Sequence, residues 1–483
     1  MEFWGRAGEL RRLRAELDRV RQDATGRLLA IRGRRQVGKS RLLTEMVEQS
    51  GVPYLYTTAA KHAPTGRQLE QVMTDLRAAR HPLPALGNAF AAQATTWADL
   101  LARLPLAFDA QPAIVILDEF PWAVESDASL DGVLQSAWDR SLERLPVLFV
   151  LVGSDVAMME RLTQHDQPLY GRAHEMVLNA LTPTDVAHAV GHDRHPVDLL
   201  DTYLATGGYP RLLVEARRYD TTTDFVRAQL SDDQSPLSIT GQRMLDAEFR
   251  GAQQPRAVLE AIGAAEVGHA TFSSTVGNLG GDDAAKTAVT RALDTLVDAK
   301  KVITIDRPTG AHPKTKTRRY RITDPYLRFW FRYCAPHLDD IARGRADLAI
   351  DHFHRDYSSW RGKAIEPVVH HALTRLAATD ERFATVTHVG AWWDRTGDRE
   401  YDIAAADRHG TTDWLGTITW RPNRPVDRRE ILALAEGRRA VSNAAGARLL
   451  AVCPAGAQGG AEADAVLDAA DIIHAWSGSH DLS

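Results

Sequence analysis

The segment GRRQVGKS, residues 33–40, constrains the fold of this chain more than any other stretch. It matches the pattern GxxxxGK[ST] and stands between an apolar run, RLLAIRG, and a helical pattern, RLLTEMVEQ. In that context the backbone amides of the loop form a nest for phosphate at the positive end of the helix dipole. The sequence therefore predicts an α/β domain with a P-loop after its first strand.

The P-loop residues have expected roles in binding a nucleoside triphosphate. Lys39 is expected to reach the β- and γ-phosphates, and the Ser40 hydroxyl to ligate Mg²⁺. The other nucleotide-binding residues expected in this segment are Gly33, Arg34, Arg35, Gln36, Val37, Gly38 and Arg41.

Asp118 and Glu119 end a second apolar run, AIVILDEF. Adjacent carboxylates at the end of a buried strand are costly unless something binds them. We expect Asp118 to hold the Mg²⁺ shell and Glu119 to polarise the attacking water. The pair therefore predicts hydrolysis of the nucleotide and not only its binding.

Short apolar runs alternate with helical patterns in the first half of the chain. Their continuous apolarity predicts strands buried on both faces, hence a parallel sheet with crossover helices. The runs are residues 27–33, 52–59, 112–120, 145–154 and 174–181. From Thr182 short helices follow, and residues 255–333 then read as three helices and a β-hairpin, the pattern of a winged helix-turn-helix.

Composition restricts the class of protein. A chain of 483 residues is longer than a single hydrophobic core usually organises, so we expect several domains. A net charge of -5 limits any nucleic-acid contact to local patches. Two cysteines are too few for a disulfide framework or a cysteine-based zinc site, and no apolar run approaches the roughly 18 residues of a membrane span. We expect a cytoplasmic protein without a membrane partner.

Residues 1 to about 235 resemble the prokaryotic ATPase-domain family of the AAA+ superfamily, near its STAND branch. Besides the P-loop, the matching segments are FWGRAGEL (3–10), LDEFPW (117–122), LVGSD (151–155), PLYGRA (168–173) and GGYP (207–210). The resemblance implies ATP as the nucleotide and further nucleotide contacts by Gly5, Arg6, Gly208 and Pro210, the last two in a helical lid. It also implies a γ-phosphate sensor at Ser154 and an arginine finger at Arg172, acting within the chain or on a neighbouring molecule.

The segment YRITDPYLRFWFRYCAP, residues 320–336, resembles the junction leading to a C-terminal domain that accompanies this ATPase in bacteria and archaea. That domain is related to the restriction-endonuclease-like fold. The domains that we predict are an ATPase core (1–181), a helical lid (182–236), a winged helix-turn-helix (237–334) and a restriction-endonuclease-like α/β domain (335–483).

The nuclease site of that fold is predicted to be degenerate. Such enzymes need a helix glutamate, an aspartate opening one strand, and an acid-x-lysine on the next strand. Glu366 and Asp402 fit the first two positions, but Thr417 and Thr419 stand where the acid and the lysine belong. Hydroxyls are poor substitutes for a carboxylate ligand and carry no positive charge.

Three functions stay open. The leading hypothesis is an ATP-hydrolysing switch, whose nucleotide state exposes or withdraws the C-terminal domain from a partner or acts through self-association. The alternative is an ATP-gated nuclease, in which Lys363 and Glu400 rebuild the site around Glu366 and Asp402, although an exposed lysine on an amphipathic helix is the commoner explanation. The third is a regulator that docks a protein or contacts DNA phosphates through the wing residues Lys314, Lys316, Arg318 and Arg319.

Overall fold

The structure is a computed structural model that describes residues 3–249, 251–441, 443–459 and 461–477. It divides into two compact units, residues 1–180 and 181–483. Among the described helices, not one combines the length and the apolarity that a membrane crossing needs.

A five-stranded parallel sheet forms the centre of the first unit. Its strands are β1 (Arg27–Arg32), β2 (Tyr54–Thr58), β3 (Ala113–Asp118), β4 (Val147–Gly153) and β5 (Ala173–Val177). The order β2-β3-β4-β1-β5 places β4 between β1 and β3. Because parallel strands end at the same edge of a sheet, the residues that follow β1, β3 and β4 are brought together there.

The burial of the strands follows from their apolar sequences. Strands β3 and β4 are buried along their whole length, which confirms the predicted parallel α/β sheet. Strand β5 lies at the sheet edge and is shorter than the predicted run, because its pairing ends at Val177, opposite the last residue of β1. The helices of this unit are α1 (Ala7–Asp23), α2 (Lys39–Ser50), α3 (Thr65–Ala78), α4 (Leu86–Ala89), α5 (Trp97–Phe108), α6 (Phe120–Ser126), α7 (Leu130–Arg140) and α8 (Val156–Leu162).

The second unit begins with helices. Several start with a proline in the first turn, where its missing N–H costs nothing. The helices up to the hairpin are α9 (Pro183–Val190), α10 (Pro196–Thr206), α11 (Pro210–Ala216), α12 (Thr222–Leu230), α13 (Pro236–Glu248), α14 (Gln253–Gly263), α15 (Phe272–Asn278) and α16 (Asp283–Asp294).

An antiparallel hairpin follows α16. It consists of β6 (Ile303–Asp306) and β7 (Arg319–Ile322), and Tyr320 also makes a β-bridge with Ala270. Three helices and a hairpin therefore occur in this order, while their assignment as a winged helix-turn-helix stays a prediction.

The rest of the chain forms a mixed sheet with helices. The strands are β8 (His388–Trp393), β9 (Glu400–Ala406), β10 (Thr412–Ile418), β11 (Arg448–Val452) and β12 (Ala465–Leu467). Their order is β12-β11-β10-β9-β8, with β8, β9 and β10 antiparallel and β10, β11 and β12 parallel. The helices are α17 (Pro325–Phe329), α18 (Leu338–Ala342), α19 (Ala346–Ala364), α20 (Glu366–Leu376), α21 (Arg428–Gly437) and α22 (Ala469–His474).

Residues 361–377 belong to two helices and not to one continuous helix. Helix α19 ends at Ala364 and α20 begins at Glu366. Pro367 is the reason, because it has no N–H to donate to the carbonyl of residue 363 and so breaks the helical ladder.

Candidate functional site

The P-loop connects β1 to α2 and encloses the Lys39 ammonium. Lys39 Nζ donates to the carbonyl oxygens of Gly33 at 2.7 Å and Arg34 at 3.0 Å, and the side chain is 6% exposed. These bonds hold the ammonium against the loop that is expected to receive the phosphates.

Two glycines permit this loop. Gly38 has φ 96°, in the region that favours glycine. At Gly33 a Cβ atom would lie 2.3 Å from the carbonyl oxygen of Leu178, so no side chain fits there. The motif therefore requires glycine at both positions for different reasons: Gly38 for its backbone conformation and Gly33 for lack of space.

Ser40 and Asp118 are in direct contact. Ser40 Oγ donates to Asp118 Oδ2 at 2.7 Å, and the Tyr56 hydroxyl donates to the same oxygen at 2.8 Å. A hydroxyl beside a carboxylate is a pair of oxygen ligands that fits Mg²⁺ bound together with a nucleotide. The two predicted metal-binding residues are therefore adjacent.

Tyr56 is a site residue that the sequence interpretation missed. Burial, and next the charge of Asp118, raise the pKa of its hydroxyl, so the group stays a hydrogen-bond donor to Asp118. The available signal was its position in β2, which pairs with the Asp118 strand β3.

Glu119 and Ser154 form a second contact at the same sheet edge. Ser154 Oγ donates to Glu119 Oε2 at 2.8 Å. Glu119 has φ 51°, a left-handed conformation that is uncommon outside glycine and often found at functional sites. The structure thus brings together the predicted water-activating residue and the predicted sensor.

Arg6 contacts the P-loop from the start of the chain. Its Nη2 donates to the carbonyl oxygen of Val37 at 2.8 Å and to that of Asn179, while Nη1 pairs with Glu9 at 2.8 Å. The side chain is 6% exposed. The predicted position of the Gly5-Arg6 element beside the nucleotide loop agrees with this geometry for Arg6, while the proposed nucleotide contacts stay a prediction.

Three of the predicted site arginines, Arg35, Arg41 and Arg172, contact other protein side chains. The Arg35 guanidinium lies 5.8 Å from the centre of the Trp122 ring, and Arg41 pairs with Glu45 at 2.9 Å. Arg172 donates through Nε and Nη2 to Asp139, at 2.7 and 2.8 Å. Its hydrogen bonds to the described residues do not include the P-loop, and the arginine-finger role stays a prediction.

Comparison with known families agrees with this geometry. Residues 2–150 match the model of the AAA ATPase domain family. The chain carries an AAA ATPase domain. Residues 330–431 match a second family, described as archaea bacterial proteins of unknown function. The two resemblances expected from the sequence motifs are therefore confirmed at the level of these families.

One similar protein and two similar solved structures have low sequence identity to this chain. The uncharacterized protein MJECL04 of Methanocaldococcus jannaschii is 23% identical over 433 residues, which cover 89% of this chain and 90% of the relative. The Walker-type ATPase PABY2304 of Pyrococcus abyssi has a TM-score of 0.48 at 18% identity, covering 68% of this chain and 96% of that structure. The ORC2 protein of Aeropyrum pernix, in ADPNP–ADP complexes, has a TM-score of 0.43 at 17% identity, covering 72% and 95%.

The GGYP segment that follows the AAA ATPase domain joins α10 to α11. Leu181 N donates to the carbonyl oxygen of Gly208 at 3.0 Å, and the Tyr209 hydroxyl donates to Asp324 Oδ2. Pro210 is the first residue of α11. The nucleotide contacts of Gly208 and Pro210 stay a prediction.

A compact charge cluster lies where the degenerate nuclease site was predicted. Lys363 Nζ is 2.9 Å from Glu366, 3.8 Å from Glu400 and 3.9 Å from Asp402. Its side chain is only 28% exposed, so the simple reading of Lys363 as an exposed surface lysine is wrong. The positive charge of this cluster comes from Lys363 on α19.

Each acid of this cluster has an internal partner. Asp402 Oδ2 accepts from the Thr417 hydroxyl at 3.1 Å, and Glu400 accepts two bonds from Arg319 at 3.1 and 3.0 Å. Thr419 lies beyond β10, and its amide donates to the carbonyl oxygen of Val452. Over the described ranges, no group of three or more His, Cys, Asp or Glu residues is arranged to hold a metal ion.

Burial changes the protonation of Glu366. Burial, and next the charge of Asp402, raise its pKa to about 8, although Lys363 opposes the shift.

The neighbouring His370, which the sequence interpretation also missed, bonds through Nε2 to the Asp402 carbonyl oxygen at 2.6 Å.

The four basic residues predicted on the wing have different environments. Lys314, Lys316 and Arg318 are exposed. Arg319 instead pairs with Glu400 on β9 and lies 4.3 Å from the centre of the Trp393 ring. Of these four residues, the first three therefore supply the exposed charge of the β6–β7 hairpin loop.

Proposed function

We propose that the chain is an ATP-binding and ATP-hydrolysing switch, in which the nucleotide state of the AAA ATPase domain controls the access of a partner to the second unit. The observation that carries the proposal is the assembly of Lys39, Ser40, Asp118, Glu119 and Ser154 around one sheet edge. The left-handed conformation of Glu119 and its contact with the Ser154 hydroxyl support a role of this carboxylate in turnover.

In this proposal each side chain has a separate role. Lys39 and the P-loop amides hold the phosphates, and Ser40 and Asp118 provide oxygen ligands for Mg²⁺. Mg²⁺, when bound with ATP, neutralises charge on the phosphate oxygens. Glu119 orients the attacking water, and the Ser154 hydroxyl fixes the direction of the Glu119 carboxylate.

We infer that the C-terminal cluster stabilises a binding module and does not cut nucleic acid. Its carboxylates already accept from Lys363, Arg319 and Thr417, and the described donor set does not fit a nuclease metal. Removing an internal cation would leave a buried carboxylate without compensation, which is costly. The partner that this unit binds is DNA or a protein, as the exposed wing residues suggest.

Steady-state ATP hydrolysis by the full chain tests the proposal. Wild type is compared with Lys39→Ala and Glu119→Gln, each with and without duplex DNA. We expect Lys39→Ala to lose ATP binding, and Glu119→Gln to bind ATP but lose turnover by at least about 100-fold. No Mg²⁺-dependent ATP binding by wild type would refute the switch, while stimulation by DNA would identify the partner.

A second assay tests the nuclease alternative. DNA and RNA are incubated with wild type and Asp402→Ala in Mg²⁺ or Mn²⁺. Cleavage that disappears in Asp402→Ala would contradict the structural role of the cluster. Equal or absent cleavage in both proteins is the expected result.

A further inference from the structure

The second unit contains a cavity of about 700 Å³ that the proposed switch does not use. Its wall is formed by the β6–β7 hairpin, α17, α20 and strands β8 and β9. The volume lies within the roughly 300–1,000 Å³ of small-molecule sites.

Arg328 on α17 lines this cavity and is 5% exposed. Its Nε and Nη1 atoms are buried and have no hydrogen-bond partner among the described residues. Burial, and next the charge of Arg321, lower the pKa of Arg328 to about 10, so the guanidinium still carries its charge at neutral pH. A buried charge with unmade hydrogen bonds is costly unless a ligand supplies the partner.

The nearby carboxylates of Asp324 and Asp306 favour the charged form of Arg328 but make no hydrogen bond with its Nε or Nη1. Arg321 is already paired with Asp306 through two bonds of 2.7 and 2.9 Å. Over the whole wall, five arginine and lysine side chains face three acidic side chains, so positive charge is in excess. Asp306 and Glu400 accept from Arg321 and Arg319, and Glu366 contacts Lys363. Arg307, like Arg328, has a buried Nε without a partner among the described residues.

We propose that this cavity binds a small phosphate-bearing ligand through Arg328 and Arg307. A guanidinium presents a planar fork of N–H donors that matches phosphate oxygens, and its charge strengthens each bond. The cavity belongs to the second unit alone, so binding there does not depend on the P-loop or on ATP hydrolysis.

Calorimetric titration of the full chain tests the proposal. The Lys39→Ala background removes the contribution of the P-loop, and the probes are inorganic phosphate, AMP and adenosine. We expect phosphate and AMP to bind and adenosine not to bind. If AMP binds more tightly than inorganic phosphate, the ligand is a nucleotide. If the two bind equally, the cavity recognises the phosphate group alone.

Arg328→Met in the same background is expected to weaken phosphate and AMP binding by at least about tenfold. Arg243→Met, an exposed arginine on α13, is the matched control and is expected to change nothing. Because Nε and Nη1 of Arg328 have no partner to lose among the described residues, Arg328→Met is expected to keep or raise the melting temperature of the ligand-free protein. If it does not fold, Arg328→Lys keeps the charge without the fork and is expected to weaken binding in the same direction.

Two results overturn the proposal. One is the absence of phosphate and AMP binding to Lys39→Ala. The other is that Lys39→Ala binds phosphate and AMP with the same affinity whether or not it also carries Arg328→Met. Neither result bears on ATP hydrolysis, which is measured on the protein with an intact Lys39.

Discussion

Arg6 links the start of the chain to the P-loop through a buried guanidinium. Arg6→Ala leaves the Val37 carbonyl and the Glu9 carboxylate without their charged partner. We therefore expect the free energy of unfolding to fall by about 2–3 kcal/mol and the ATP affinity to fall with it. Denaturant unfolding and ATP titration measure the two effects. Arg12→Ala, an exposed position on α1, the helix that follows Arg6, is the control, and an equal loss in both variants would contradict a specific role of Arg6.

The charge cluster predicts a pH dependence of stability. The folded-state pKa of Glu366 is raised to about 8, above its ordinary value of 4.5. Between these two pH values the folded protein keeps a proton that the unfolded chain has lost, so the stability from this group falls as pH rises. Glu366→Gln cannot lose that proton. In wild type we expect the free energy of unfolding to be lower at pH 9 than at pH 6. In Glu366→Gln we expect this decrease to be smaller than in wild type by roughly 2 kcal/mol or more.

Glu436→Gln, an exposed glutamate on α21, is the matched control for that measurement and is expected to keep the wild-type pH profile. If Glu366→Gln keeps the wild-type profile as well, Glu366 is ionised in the folded protein at neutral pH and the argument from burial is wrong.

Local motifs predicted the residues of the phosphate site, because P-loop and strand-end residues are positioned by the sheet itself. Ser40 therefore meets Asp118, and Ser154 meets Glu119. Tyr56 was missed because its partner is 62 residues away and no motif joins them. The pairing of Arg319 with Glu400 spans 81 residues, so the basic run alone did not indicate that one of its charges is occupied.

Element type was predictable where the apolar pattern is strong. The runs that became β3 and β4 are buried throughout, which gives a clear signal for a central parallel strand. The order of the C-terminal sheet was harder to predict, because residues 419–447 separate β10 from its parallel partner β11. Pro367 was the readable signal for the break between α19 and α20.

The β6–β7 hairpin loop carries the exposed charges that a DNA-binding role requires. Neutralising Lys314, Lys316 and Arg318 together removes three phosphate contacts. If DNA is the partner, duplex binding is expected to weaken and the slope of log affinity against log salt to shrink by about 2–3. Fluorescence anisotropy over a salt series measures both quantities.

Arg319→Ala is the matched comparison within the same basic run. It breaks the pair with Glu400, so we expect it to lower stability and to leave the salt slope nearly unchanged. A slope that responds to Arg319→Ala as strongly as to the triple variant would mean that the docked arginine reaches the DNA. An unchanged slope in the triple variant would remove the loop as a DNA contact and favour a protein partner.

A switch requires that nucleotide bound by residues 1–180 alters residues 181–483. A ligand shifts such an equilibrium only by its difference in affinity for the two states. We therefore expect hydrogen exchange of the full chain to differ between ADP and a non-hydrolysable ATP analogue in peptides of the second unit, including the β6–β7 hairpin. In Lys39→Ala the two nucleotides are expected to give the same exchange pattern.

The location of the exchange difference decides between a switch and an isolated ATPase. A difference confined to the P-loop, β3 and β4 would mean that the domain binds ATP without changing the conformation of the second unit. A difference in the second unit that survives in Lys39→Ala would come from a nucleotide bound elsewhere, and Arg328→Met in that background would then show whether the cavity is its source. Only a second-unit difference that requires Lys39 supports coupling, because it ties the change in that unit to the residue that holds the phosphates.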